Sequence, residues 1–428
     1  MFYEQLRLIR KASGKTQREL AEHLQISAQS VSKWEKGEAL PSIEYLPQMA
    51  KFFGCSINAF FTDVEDCDPE HATRDISKIK ATMDIEEKIN SALRHFKLNA
   101  EVKKIHHGVR ILTFIVEMNE GVGISDIKKR EKDIIHQIAE ENVTFNTVDY
   151  KNNTFAIEIP KKDFKGVSLA VAMKSNEYIN SDHTLPIIIG YDRNDNLIVD
   201  DLTKLPHMLI GGFTSTGKTA FLRNIITCLT SRFSADELKL LICDPKMCEY
   251  DYAKVYPHTN GNILTSGQDI VEATRQLIET MNSRLSKFAE LGVRNIKDYN
   301  KKSEDKMPYV VMIIDEFADL MLLNRDIEVL VMRIAQKARA AGIHMLIATQ
   351  RPSVNVFTSV LKANIPSRAC LNVLTSVDSK VVLDEAGAEN LSIHGDMLYT
   401  SILKGNSPIR LQVPYISEDE AIDIIKRR

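Results

Sequence analysis

Apolar and polar positions follow three different rhythms along the chain. Up to about residue 60 the spacing is helical throughout. "LRLIRKASG" puts Leu6, Ile9 and Arg10 on one helical repeat and stops at Gly14. "TQRELAEHL" begins with Thr16 as N-cap and has Glu19 three residues on, a capping box. "SAQSVSKWEKG" opens with Ser27 as a cap and ends at Gly37, a C′ glycine. "SIEYLPQMAKFFG" closes the unit, with Leu46, Met49 and Phe52 or Phe53 turned inward. The acidic, proline-bearing "TDVEDCDPEHATRD" reads as a linker. From Met83 to Asn180 the rhythm is mixed. "IEEKINSALRHF" and "SDIKKREKDIIHQIAEE" have helical periodicity, whereas "HHGVRILTFIVEM" and "NTFAIEIP" read as strands.

From "LPIIIGYDRNDNLIVDDL" onward, strands alternate with helical segments, beginning with a hairpin around "RNDN". "HMLIGG", "KLLICDP", "YVVMIIDE", "HMLIATQ" and "RACLNVL" are short, almost wholly apolar runs, as expected of parallel strands buried on both faces. The pattern predicts a multidomain chain: an all-α domain over 1–62, an acidic linker over 63–82, a small α+β domain over 83–182, and a doubly wound α/β domain over 183–428.

A length of 428 residues agrees with two to four domains. The formal net charge of -3 neither advertises nor excludes a nucleic-acid partner, since a basic groove can sit within a balanced total. Cys55, Cys67, Cys228, Cys243, Cys248 and Cys370 are scattered with no C-x-x-C spacing, which fits a reducing compartment and small core residues. No run reaches the roughly 18 apolar residues of a membrane span, and the start lacks a signal-peptide core, so the chain reads as cytoplasmic. His106 and His107 are neighbours on an expected strand and would face opposite sides, which disfavours a shared metal.

The chemistry concentrates in three places. Gly212, Gly217, Lys218 and Thr219 match G-x-x-x-x-G-K-[ST] between a strand and a helix. In such a loop, here Gly212, Phe213, Thr214, Ser215, Thr216 and Gly217, backbone N–H groups wrap the phosphates. Lys218 reaches the β and γ oxygens of ATP, and the Thr219 hydroxyl ligates Mg²⁺. Asp315 ends the apolar run "YVVMII", at the strand edge where an acid holds the metal shell. Glu316, next to it, is placed to polarise the attacking water. Gln350 and Arg351 end another buried run, where a polar amide can sense the γ-phosphate.

The residues from about Met83 onward resemble the FtsK/SpoIIIE DNA translocases. The resemblance rests on "LPHMLIGG", "CDPKM", "GVRNIKDYN", "IIDEFADLM", "QKARAAGIHMLIATQRPSV", "KANIPSR" and "GAENL..HGDMLY". It implies a RecA-like ATPase, hexameric rings around double-stranded DNA, and the roles above for Lys218, Thr219, Asp315, Glu316 and Gln350. It also makes Arg351, Arg368 and Arg339 candidates for an arginine acting between subunits. Ser215, Phe213, Lys380, and Ser392 with Ile393, depart from the family's usual residues; Lys380 in place of arginine loses bidentate geometry.

"TQRELAEHLQISAQSVSKWEKGEALPS" resembles the Cro/repressor-like helix-turn-helix, with Ala28 to Glu35 as recognition helix. On that docking geometry Gln29 and Lys33 face bases, Ser30 or Gln17 faces phosphate, and Val31 and Trp34 pack inside. Together the two resemblances imply an ATP-driven double-stranded DNA translocase of a plasmid or other mobile element, addressed by its N-terminal domain and aided by a transfer or partition protein. The alternative is a nucleotide-switched, sequence-specific regulator or partition-site binder.

Overall fold

The computed structural model describes residues 2–13, 15–42, 45–53, 60, 69–108, 110–119, 123–140, 142–149, 153–161, 166–247, 249–403 and 405–426. The chain divides into two compact units. One takes in Met1–Lys103 and Val116–Ala139, the other Lys104–Ile115 and Glu140–Arg428.

The first unit opens with α1 (Phe2–Ala12), α2 (Gln17–His23), α3 (Ala28–Glu35) and α4 (Tyr45–Phe53). Thr16 and Glu19 form the expected capping box, and Ser27 caps α3. Gly37 ends that helix in the left-handed region, at φ 73°. Leu6, Leu20, Val31, Trp34, Met49 and Phe53 share one buried core, as the helical spacing predicts. The segment read as a linker is helical from Pro69: α5 spans Pro69–His95. A proline can open a helix because the first turn needs no N–H donors. Residues 61–68 of that segment, and Gly14, Cys55, Cys67 and Cys248, lie outside the described residues. Helix α6 (Ile124–Ile138) lies against α5.

Strands β1 (Ala100–His107), β2 (Ile111–Met118), β3 (Thr144–Asp149) and β4 (Thr154–Pro160) form a sheet in the order β1-β2-β4-β3. The run "HHGVRILTFIVEM", expected as one strand, breaks at Gly108. A Cβ there would stand 2.6 Å from the carbonyl oxygen of Arg193, so two backbones meet where only glycine fits.

The second unit continues with the short helices α7 (Leu169–Ala172) and α8 (Asn176–Ile179), the hairpin β5 (Pro186–Tyr191) and β6 (Leu197–Asp201), then β7 (His207–Gly211), α9 (Lys218–Arg232) and β8 (Leu238–Cys243). Next come α10 (Gly267–Leu291), α11 (Ile296–Lys302), β9 (Tyr309–Ile314), α12 (Phe317–Leu323), α13 (Asp326–Lys337) and β10 (Ile343–Thr349). Helix α14 (Ser359–Asn364), β11 (Ser367–Leu371), α15 (Ser376–Leu383), β12 (Asp396–Ser401), β13 (Gly405–Gln412) and α16 (Glu418–Lys426) complete it. The nine-stranded sheet runs β6-β5-β13-β12-β11-β7-β10-β9-β8.

Strands β8, β9, β10, β7 and β11 are parallel and coincide with the five apolar runs. From β12 outward the sheet is antiparallel and includes the expected β5–β6 hairpin, so the sheet is mixed. Side chains alternate between two cores. Met208, Ile210, Ile313 and Leu346 meet Phe221, Leu222 and Ile225 of α9 on one face. Leu209, Met312, Ile314 and Met345 meet Ile278, Met281, Val331 and Ile334 of α10 and α13 on the other. Strand β7 thus lies between β10 and β11, and the chain leaves it for the far edge β8 before returning. That switch point opens a crevice at the carboxyl ends of the strands.

Candidate nucleotide site

The loop after β7 is held by its neighbours. Phe213 N donates to Asn372 O at 2.9 Å, Thr216 Oγ1 to Phe213 O at 2.7 Å, and Gly395 N to Thr216 O at 2.8 Å. Gly217 has φ 111°, and a Cβ on it would stand 2.8 Å from Gly395 N. Ser215 takes the left-handed region too, at φ 64°. Helix α9 begins at Lys218 with no side-chain cap, so its first-turn N–H groups and dipole face the loop.

Lys218 is turned inward. Its Nζ donates to Asp315 Oδ1 at 2.5 Å and to Asp315 O at 2.9 Å, and both side chains are buried. Tyr250 OH donates to the same Oδ1 at 3.2 Å. Burial and the neighbouring Asp315 carboxylate hold the Tyr250 phenol well above its ordinary pKa, so it stays a donor. Asp315 Oδ2 is buried and has no hydrogen-bond partner, a free anionic acceptor. Thr219, on the first turn of α9, lines the cleft above. An unmet buried carboxylate oxygen near a hydroxyl on the helix start is a donor set that fits Mg²⁺.

Glu316 is buried and fully engaged. Thr349 Oγ1 donates to Oε1 at 2.5 Å, Gln350 N reaches Oε1 at 3.2 Å and Oε2 at 3.1 Å, and Lys246 Nζ lies 3.2 Å from Oε2. Lys246 also stands 4.0 Å from Asp319. Gln350 joins this cluster to the loop, since Thr214 Oγ1 donates to its Oε1 at 3.0 Å. Glu316, Gln350 and the loop are thereby one hydrogen-bonded set.

The cleft has a volume of about 670 Å³ and takes in Phe213, Thr214, Ser215, Gly217, Lys218, Thr219 and Gln350. Its far wall includes Arg110, which donates to Ile393 O at 2.7 Å, His394 O at 3.1 Å and Gln412 Oε1 at 3.0 Å. That guanidinium fastens the segment carrying Gly395. Arg351 and Arg368 are not among the cleft's lining residues. Arg351 is exposed and borders an adjoining hollow with Arg325 and Glu328. Arg368 is paired with Asp384, which also takes Lys362 Nζ at 2.5 Å. Arg339 donates to Thr203 O at 3.3 Å, ahead of the amino end of β7, the sheet edge opposite the cleft.

The sequence pattern passed over Lys246, Tyr250, Thr349, Arg110 and Gly395. Lys246, Thr349 and Gly395 lie within stretches that carry the family resemblance, and Thr349 is also a hydroxyl ending an otherwise apolar strand before Gln350. In the helical domain, Gln29 and Lys33 are exposed on α3, and Ser30 Oγ meets Ser27 Oγ at 2.9 Å. Val31 and Trp34 are buried, as expected. Gln17 is committed elsewhere: its Nε2 donates to Glu35 Oε2 at 2.7 Å, beside the Arg10–Glu35 pair. Burial would raise the Glu35 pKa, but the hydrogen bonds from Arg10 and Gln17 outweigh it and hold the carboxyl below its usual value. Among the described residues, no helix is long and apolar enough to cross a membrane.

A glycine-lined loop between a central parallel strand and a helix, with a buried acid at the end of β9, two strands away in the sheet, defines a P-loop ATPase domain. More particularly, the chain carries the FtsK/SpoIIIE family domain over residues 168–354, preceded by an FtsK alpha domain over 65–161 and a helix-turn-helix over 6–60. It is 37% identical over 345 residues to "DNA translocase FtsK" of Clostridium acetobutylicum, covering 79% of this chain and 45% of the relative. It is also 37% identical over 338 residues to "DNA translocase SftA" of Bacillus subtilis, covering 78% of this chain and 35% of the relative. The chain spans less than half the length of these relatives. Among solved structures, the pCW3 conjugation coupling protein TcpA in monomer form with ATPγS aligns with TM-score 0.56 at 23% identity, covering 80% of this chain and 99% of that one. The cytoplasmic domain of the Thermomonospora curvata Type VII secretion ATPase EccC aligns with TM-score 0.51 at 21% identity, covering 61% of this chain and 32% of that one. Both likenesses concern the fold.

Proposed function

We propose that the protein hydrolyses ATP with Mg²⁺ and uses the energy to move double-stranded DNA, as a ring of identical subunits. The observation that carries this reading is the cluster at the ends of β7, β9 and β10. Lys218 with Asp315, and Glu316 with Gln350, form two neighbouring hydrogen-bonded groups at that sheet edge, inside a region 37% identical to proteins named DNA translocases. Lys218 and the α9 N-terminus bind and orient the triphosphate, Thr219 and Asp315 hold Mg²⁺, and Glu316 orients and deprotonates the attacking water. Bound Mg²⁺ neutralises charge on the phosphate oxygens. Arg351 and Arg368, which stand outside their own cleft, are candidates to act on a neighbouring subunit's nucleotide. The helix-turn-helix supplies an address through Gln29 and Lys33 of α3, and linking it to the motor raises the motor's concentration near one site. A role for a plasmid or other mobile element, in transfer or segregation, follows from joining such a reader to such a motor.

A second reading, a nucleotide-switched DNA binder, is favoured by one observation: Glu316 is held by Thr349, Gln350 and Lys246, a stable resting arrangement. ATP turnover with and without a duplex of a few kilobases, on wild type and Glu316→Gln, separates the two. The translocase reading expects stimulation by any duplex and a loss of at least about 100-fold in the variant. Turnover indifferent to duplex, or responsive to one sequence only, would refute it in favour of the switch.

A further inference from the structure

The cleft is larger than a triphosphate needs, and its lining falls into two parts. One is the loop 213–217 with Lys218, Thr219 and Gln350; the other is Lys161, Gly166 and the segment Val413 to Tyr415. That segment is fixed along α9. At one end Gly395 N bonds Thr216 O and Val413 N bonds Gly395 O, each at 2.8 Å. Further on, Asn224 Nδ2 donates to Pro414 O at 2.5 Å and Arg223 Nη1 to Ile416 O at 3.2 Å. From Gly217 to Asn224 the helix rises about 10 Å. The segment therefore leads from the phosphate end of the cleft to a point about one nucleoside's length away.

Tyr415 sits at that point. Its backbone is pinned on both sides, by Tyr415 N to Val167 O at 2.6 Å and Leu169 N to Tyr415 O at 2.9 Å. Its neighbours Val413 and Ile416 are buried, at 3% and 1% exposure, yet Tyr415 is 57% exposed and lines the cleft. A rigid backbone presenting a bare aromatic face is how proteins hold a base by stacking. The other exposed ring in the cleft, Phe213, stands at the start of the loop against Asn372, near Gln350, which is the γ-phosphate end.

Building on the nucleotide-site reading above, we propose that Tyr415 is the stacking platform for the nucleobase and makes the cleft select a nucleoside triphosphate over a bare polyphosphate. Calorimetric titration of the full chain with ATP, ribose 5′-triphosphate and inorganic tripolyphosphate, all as magnesium salts, tests this. Tyr415→Ala should bind ATP roughly tenfold more weakly, with tripolyphosphate and ribose triphosphate affinities unchanged. Tyr415→Phe should keep ATP affinity within about twofold, since the ring is retained. An unchanged ATP affinity in Tyr415→Ala, an equal loss for tripolyphosphate, or a base-dependent loss in Phe213→Ala instead would overturn the assignment. A wild-type chain that binds tripolyphosphate and ATP equally would overturn it too, while leaving the phosphate site standing. Binding of neither would sink the nucleotide reading and this assignment together.

Discussion

Lys218 and Asp315 form a buried ion pair, with side chains 3% and 1% exposed. Removing one partner of such a pair leaves a charge in low dielectric, at a typical cost of about 3–5 kcal/mol. Asp315 Oδ1 would keep the Tyr250 hydroxyl at 3.2 Å, which argues for the lower part of that range in Lys218→Met. For a unit of roughly 300 residues, an unfolding entropy of about 2.1 cal/mol/K per residue converts this to a fall of about 5–8 °C in melting temperature. Asp315→Asn alone should cost a similar amount, by stranding the ammonium. The double variant Lys218→Met/Asp315→Asn should recover to within about 1 kcal/mol of wild type, since no charge is left unmatched. The measurement is thermal unfolding of the four proteins without nucleotide, read as a double-mutant cycle. The reasoning fails if Lys218→Met melts with wild type, or if the double variant is no more stable than either single one. The outcome also bears on activity. Hydrolysis lost in a double variant of restored stability is lost through the phosphate and metal contacts proposed for these residues and not through unfolding.

Thr349→Val removes the 2.5 Å hydrogen bond to Glu316 and should lower kcat for ATP about 10- to 100-fold with little change in KM; an unchanged kcat in steady-state turnover would show that Glu316 needs no such anchor. His207 and His344 lie at the amino ends of β7 and β10, with Arg339, Arg284 and Asp201 acting on them. Burial pushes His207 down to about 3 and His344 down to about 4, so the folded chain keeps both neutral while the unfolded chain takes up protons from about pH 6.5 downward. Stability should fall by roughly 1 kcal/mol per pH unit for each histidine between about pH 6 and 4.5, and a denaturant midpoint as steep in His207→Gln/His344→Gln would contradict this.

What could be read in the sequence was what local rules determine. The capping box at Thr16, the glycine stop at Gly37 and the five buried parallel strands depend on neighbours in the chain, and the structure has them where the pattern put them. Strand β13 was not read from the sequence; it carries Pro408 in its middle, where the ladder with β12 shifts register. The acidic stretch looked like linker because composition is silent about what a helix packs on; α5 instead takes it up from Pro69. In the site, loop and acids were legible because the phosphate chemistry demands fixed spacing. The contacts of Arg110 and Gly395 were not, because Arg110 meets Gln412 across 302 positions and Gly395 meets Thr216 far along the chain as well. The hydrogen bond from Gln17 to Glu35, eighteen residues on, was illegible for the same reason.

The two acids that end β9 each have a lysine partner: Asp315 has Lys218, and Glu316 has Lys246. Buried charge is tolerable only when it is balanced, and each of these acids has a cation beside it. A triphosphate disturbs that balance in one direction. On the proposed reading it would draw Lys218 outward and leave Asp315 with the Tyr250 hydroxyl and an oxygen that has no partner. The deficit is one cationic ligand, at a carboxylate facing the start of α9. Nucleotide and divalent cation should therefore bind with positive coupling, each making good the charge the other displaces. Glu316 is insulated from that exchange by its own lysine and by Thr349, and its link to the loop runs through Gln350, whose N–H holds the carboxylate while its side chain accepts from Thr214. A shift of the loop on phosphate binding must pass through that residue to reach the base. Gln350 is thus placed to make hydrolysis depend on how the loop is occupied and not only on whether it is.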